Sequence, residues 1–151
     1  MICYYKPTHF IDKFLVAFKK QYVTQFFLKA SSAEYHTCAL KIGKHRYYQN
    51  INKKTGEIKE VEISVEAYKE LLAEKVGEVL DYERYIIPLE NGKVVNLDVF
   101  SKDLEERRIL SYDQDYNDFL YYDWFGKDIT DQIGNSYYSI AVAGMPEQLD
   151  K

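Results

Sequence analysis

The sequence predicts an antiparallel α+β fold: about eight short strands forming a barrel or a strongly curved sheet, with one clear helix and a few flanking helical pieces. Three observations predict it. Short runs of alternating apolar and polar residues recur along the chain and are joined by tight turns. Fifteen tyrosines and eight phenylalanines favour pleated structure. The segment that begins at Ser64 repeats its apolar residues most clearly at helical spacing. The chain has 151 residues, and no linker, low-complexity run or internal repeat divides it, so residues 1–151 read as a single domain.

Taken in order, HFIDKFLVAF (9–18) reads as a strand because Phe10, Phe14, Val16 and Phe18 give bulk with partial alternation. YVTQFFLKAS (22–31) reads as a second strand, and the polar stretch 30–36 connects it onward. TCALKIG and RYYQNINKK form a hairpin around Gly43-Lys44-His45. Lys53-Lys54-Thr55-Gly56 turns the chain into EIKEVEIS, where Glu60 and Glu62 face one way and Val61 and Ile63 the other. Ser64 is the N-cap of the helix, with Glu66 in its first turn. Val65, Tyr68, Leu71, Leu72 and Val76 mark its apolar face and Gly77 its end. VLDYERYIIPL and KVVNLDVF make a second hairpin across Asn91-Gly92. RRILSYDQ is a further strand, the aromatic-acidic segment after Asp115 is partly helical, and NSYYSIAVAG gives a final short helix.

The formal net charge of −4 argues against general affinity for nucleic-acid backbones or anionic membranes. No apolar run is long enough to span a membrane. MICYYKPTHF lacks the order of a secretory signal, and Cys3 and Cys38 show neither metal-ligand spacing nor a disulfide framework. A cytoplasmic protein with two free thiols is expected.

Several strands carry apolar residues on one face and ionisable residues on the other. Glu60 pairs with Glu62 in this way, Asn96 with Asp98, and Tyr82 with Arg84, while Lys41 is flanked by Leu40 and Ile42. Two readings fit. An ordinary antiparallel sheet wets one face. A closed barrel with a polar lumen would hold a polyanion on its Lys and Arg side chains and a hard cation, Mg²⁺ or Mn²⁺, on its carboxylates.

A set of stretches in matching order resembles the CYTH family, the triphosphate tunnel fold. Trp124 to Thr130, WFGKDIT, is similar to the family's W-[LF]-G-[KR]-[ED]-[VI]-T segment, and NSYYSIA (135–141) follows at the spacing of its terminal helix. Glu83 to Leu89 resembles the T-R-Y strand and Asn96 to Phe100 the E-[VI]-D-x-F strand. Ile11 to Val16 is similar to the opening I-E-R-K-F-L-V, and Gln25 to Leu28 to Q-x-Y-L. The resemblance covers nearly the whole chain. It implies an eight-stranded antiparallel tunnel that binds triphosphate groups, with Mg²⁺ or Mn²⁺ as the cofactor of members that hydrolyse them. Trp124 and its neighbours would then close a wall or end of the tunnel.

The departures fall on the chemistry. Counting back from Lys13, the two glutamates of the family's E-x-E-x-K are replaced by Ile11 and His9. The R-x-R strand stands as Ala39-Leu40-Lys41, and lysine lacks the planar fork that grips phosphate. The late E-x-E strand stands as Ser111-Tyr112-Asp113, and Asn96 replaces a further acid. The resemblance leaves Lys13, Lys41, Lys53 and Arg84 to bind ligand. It leaves Glu60, Glu62, Asp98 and Asp113 to hold a metal, the first three of them also as the catalytic set.

With the acid set reduced, the first expectation is a module that binds a triphosphate, polyphosphate or nucleotide with weak or no hydrolysis. A second is a scaffold that has lost its chemistry and meets a protein partner through the acidic, tyrosine-rich stretch Asp113 to Asp131. A third is an active metal-dependent triphosphatase.

Overall fold

The computed structural model describes residues 2–5, 16–90, 92–100, 108–111, 127–128 and 137–143. They form nine strands and two α-helices: β1 (Ile2–Tyr5), β2 (Lys19–Leu28), β3 (Tyr35–Ile42), β4 (His45–Asn52), β5 (Ile58–Ile63), α1 (Val65–Leu71), β6 (Lys75–Pro88), β7 (Val94–Phe100), β8 (Arg108–Ser111), β9 (Lys127–Asp128) and α2 (Tyr137–Ala143). The chain falls into two compact units. One comprises Met1–Gln21, Tyr82–Gly134 and Glu147–Lys151, the other Tyr22–Asp81 and Asn135–Pro146. Strand order is β6-β7-β8-β1-β9 in the first and β5-β4-β3-β2-β6 in the second.

The antiparallel pairing expected from the sequence is present, but the described residues do not close into an eight-stranded barrel. The described residues contain nine strands, of which β2 to β7 have six residues or more. Each unit ends on an open edge among the described residues, β9 in the first and β5 in the second. No helix among the described residues is long and apolar enough to cross a membrane.

Local chemistry explains the turns. Gly43 takes φ 60° in a two-residue turn, so Ile42 pairs directly with His45. Asn52 organises the next turn: its Oδ1 accepts from the amides of Lys54 (2.8 Å) and Thr55 (3.0 Å). Ser64 caps α1 as expected, its Oγ accepting from the Ala67 amide at 3.1 Å.

Two boundaries depart from the sequence reading. α1 stops at Leu71, a 3-10 turn spans Leu72–Glu74, and β6 takes Val76 and Gly77. The β-branched Val76 suits the ladder, and Gly77 serves a bend inside a strand rather than a helix end. The strand expected over 9–18 lies outside the described residues up to 15. Its last three residues are a 3-10 turn at Val16 and Ala17 and a bend at Phe18, and β2 begins at Lys19. The stretch Tyr121 to Thr130 lies outside the described residues apart from β9, as does Asn91.

In the second unit, α1 covers one face of the sheet. Tyr68 closes over Phe26, Leu28 and Ala39, with Tyr48, Ile63, Leu71 and Val79 around them. The Tyr68 and Phe26 rings meet edge to face at 5.2 Å. α2 packs on the opposite face. Its Tyr138 stacks on His36 at 4.3 Å and meets Phe27 edge-on at 5.5 Å. In the first unit Tyr82, Ile87, Val95, Leu97, Phe100 and Ile109 are buried.

The His36 stack carries a pH dependence. Burial, reinforced by the charge of Lys53, lowers the imidazole pKa below its ordinary 6.5, and Nδ1 is buried without a hydrogen-bond partner among the described residues. The folded state therefore favours neutral His36. Its contribution is complete above pH 6.5 and is lost as pH falls through the lowered folded value. Melting curves should show stability falling with acid over that window, and His36→Phe, which keeps a ring under Tyr138, should flatten that part of the profile. An unchanged profile in His36→Phe would assign the acid sensitivity elsewhere.

Candidate functional site

Strand register decides which predicted side chains share a face, because residues directly opposite in neighbouring strands project to the same side. In the second unit, Phe27, Cys38, Gln49 and Glu60 form one row across β2 to β5, and Gln25, Leu40, Tyr47 and Glu62 form the next. Both lie on the face that meets α2. On the α1 face the rows are Phe26, Ala39, Tyr48, Val61 and Thr24, Lys41, Arg46, Ile63, followed by Thr37, Asn50, Lys59. Charge is therefore sorted by face through β3, β4 and β5. The lysines and arginine (Lys41, Arg46, Lys59) lie on the α1 side. The carboxylates (Glu60, Glu62) lie on the other.

The acidic face carries a polar network. Gln25 Nε2 donates to Cys38 Sγ (3.4 Å), Cys38 Sγ donates to Gln49 Oε1 (3.5 Å), and Gln49 Nε2 donates to Glu60 Oε1 (2.7 Å). Gln25, Cys38 and Gln49 are buried, and Glu60 stands exposed on edge strand β5. Burial pushes the Cys38 thiol up to about 11, so it stays protonated and keeps its donor role. Glu62 is exposed and meets His45 Nδ1 at 2.5 Å.

In the first unit, β6 and β7 place Arg84 directly opposite Asp98. Arg84 Nε donates to Asp98 Oδ1 at 2.8 Å and Nη2 to Oδ2 at 2.9 Å, a bidentate charge-assisted pair. Asp98 is fully buried. The guanidinium also lies over the Tyr82 ring at 5.3 Å. The residue expected to bind phosphate and the residue expected to bind metal thus grip each other.

Of the eight residues singled out from the sequence, Lys13 and Asp113 lie outside the described residues. Lys53 is exposed in the β4–β5 turn. Lys41 sits on the face opposite Glu60 and Glu62. Among the described residues no three of His, Cys, Asp or Glu come close enough to hold a metal ion. Asp98 engages both carboxylate oxygens with Arg84. The acidic stretch Asp113 to Asp131 lies outside the described residues except for Lys127 and Asp128. Sequence reading missed Arg46, although a two-residue turn at Gly43-Lys44 puts it opposite Lys41 by counting alone.

No protein-family model matches the chain, and no curated protein sequence does. Solved structures do. Two crystal structures of NE1496, one of them named as an inorganic triphosphatase, superpose with TM-score 0.59 at 18% identity, over 85% of this chain and 88% of that one. The PH1819 protein of Pyrococcus horikoshii OT3 gives TM-score 0.48 at 17% identity, over 77% of this chain and 78% of that one. The likeness to NE1496 is one of fold: the chain shares the fold of that protein over most of its length.

Proposed function

We propose that this chain binds a phosphate-rich ligand (a triphosphate, polyphosphate or nucleotide) and hydrolyses it weakly or not at all. The CYTH-like fold supports the ligand class, since NE1496, which shares that fold, is an inorganic triphosphatase. The observation that carries the second half is the Arg84–Asp98 pair. Phosphoryl transfer needs a metal to bridge phosphate oxygens and stabilise the developing charge. Mg²⁺ or Mn²⁺ would draw on Glu60, Glu62, Asp98 and Asp113. Of these, Asp98 is buried against a guanidinium, and Glu60 and Glu62 point from an edge strand toward Gln49 and His45.

The test has two arms. Thermal-shift titration with tripolyphosphate and ATP, at low and moderate salt, should raise the melting point; ligand at a hundred times its dissociation constant adds about 2.7 kcal/mol. Phosphate release with Mg²⁺ or Mn²⁺ should stay near background and should not change in Glu60→Gln. Release that is metal-dependent and lost in Glu60→Gln would make the protein a triphosphatase. No shift under any condition would remove the ligand reading.

A further inference from the structure

We propose that the phosphate-rich ligand is held on the α1 face, at an anion site formed by Lys41 and Arg46, and not on the face that carries Glu60 and Glu62. This rests on the reading that the chain binds such a ligand at all.

The register puts Lys41 and Arg46 directly opposite each other on β3 and β4. Like charges at such positions repel, so a sheet gains nothing by keeping them unless something lies between. Both are partly buried. Among the described residues Lys41 makes no hydrogen bond or ion pair. Arg46 is held in place without being satisfied. Its Nη1 donates to the Lys44 carbonyl at 3.1 Å and its guanidinium lies over the Tyr68 ring at 5.6 Å, but Nε is buried with no acceptor among the described residues. Buried donors normally find a partner, and one without is a place to look for a missing group.

One acid on this face is Asp81, whose Oδ1 accepts from Thr24 Oγ1 at 2.8 Å; Thr24 stands opposite Lys41. Across β3 to β5 this face carries Lys41, Arg46 and Lys59 and no acid, so positive charge gathers beside an oriented guanidinium. A phosphoryl group seated there takes hydrogen bonds from the Lys41 ammonium and the Arg46 fork, the geometry that selects phosphate over a spherical anion. The opposite face offers the reverse. Across β3 to β5 it carries Glu60 and Glu62 and neither lysine nor arginine, so a polyphosphate laid on it meets like charge.

Inorganic tripolyphosphate is the probe, titrated calorimetrically into wild type, Lys41→Gln, Arg46→Lys and Lys59→Gln at two salt concentrations. Lys41→Gln should weaken binding about ten-fold or more, the loss of one charge-assisted hydrogen bond. Its ligand-free melting point should not fall, because a repulsion has gone. Arg46→Lys should also weaken binding, since charge without the fork is not enough. Lys59→Gln, on the same face two rows away, should bind within about two-fold of wild type, as an exposed charge at that distance is screened. Wild-type binding that Lys41→Gln leaves unchanged overturns this site while the ligand reading stands. Equal losses in Lys41→Gln and Lys59→Gln overturn it in favour of diffuse attraction. No binding by wild type overturns both.

Discussion

Arg84→Ala should destabilise the protein by about 3 kcal/mol or more, because it leaves a carboxylate in a buried position without its bidentate partner. Asp98 has no solvent-exposed surface, and both of its oxygens accept from Arg84 at 2.8 and 2.9 Å. Near the melting temperature a loss of that size lowers the midpoint by about 6 to 12 °C for a chain of this length. The reverse change should cost less. In Asp98→Asn the guanidinium, whose side chain is 26% exposed, recovers part of its hydration and still has an amide oxygen to donate to. Thermal or urea unfolding of the two variants checks this. An Arg84→Ala midpoint within a degree of wild type would mean that the pair does not hold β6 to β7. The result bears on function as well. Ligand binding lost in Arg84→Ala would report a weakened fold before it reported a missing contact. Lys41, which makes no hydrogen bond or ion pair among the described residues, is the cleaner probe of the proposed phosphate binding.

What the sequence made legible was local, and what it hid was decided by register. Alternation in EIKEVEIS and VVNLDVF assigns Glu60 and Glu62 to one face and Asn96 and Asp98 to another, and the ladders agree. Ser64 announced its helix through a short-range hydrogen bond that needs only four residues. The same local signals misled at Val76 and Gly77, where helical spacing runs on past the point at which the backbone turns into β6. Alternation also does not say which face is covered. Val61, on the α1 face, is 59% exposed because β5 is an edge strand, while Asp98 is fully buried.

The candidate site was harder still. Matching Ala39-Leu40-Lys41 to a basic motif attended to the charge and missed the side of the sheet: Cys38 and Leu40 occupy the face of Glu60 and Glu62, and Lys41 points the other way. Only the pairing of β3 with β4 and β5 settles that. The hairpin offers part of the answer in advance, since Gly43 closes a two-residue turn and fixes each partner. The Arg84–Asp98 pair belongs to the same class of hidden information. Each residue taken alone fits a ligand role, and their partnership appears only when β6 and β7 are aligned across the turn.

Gly77→Ala should cost about 2–4 kcal/mol, because it combines backbone strain with a steric conflict in a packed place. Gly77 takes φ 69°, which side-chain-bearing residues rarely adopt. A Cβ there would stand 2.5 Å from the carbonyl oxygen of Ala141 and 2.8 Å from its carbon, both in the backbone of α2. Backbone atoms of a helix cannot rotate aside as a side chain would, so α2 must shift as a body. Ile140 and Ala141 are buried, and Tyr138 holds its stack on His36, so the shift loosens packing on the face opposite α1. Gly56 supplies the control: its φ of 74° is similar, but nothing lies within 4 Å of an added Cβ. Gly56→Ala should therefore show the strain alone, about 1 kcal/mol. The difference between the two variants in denaturant unfolding measures the close approach of β6 and α2. Equal losses would mean that this approach is looser than described and that Gly77 is required for its dihedral angle only. A larger loss in Gly77→Ala, removed in part by shortening the chain before α2 docks, would show that the glycine in β6 is there to let the C-terminal helix come down on the sheet.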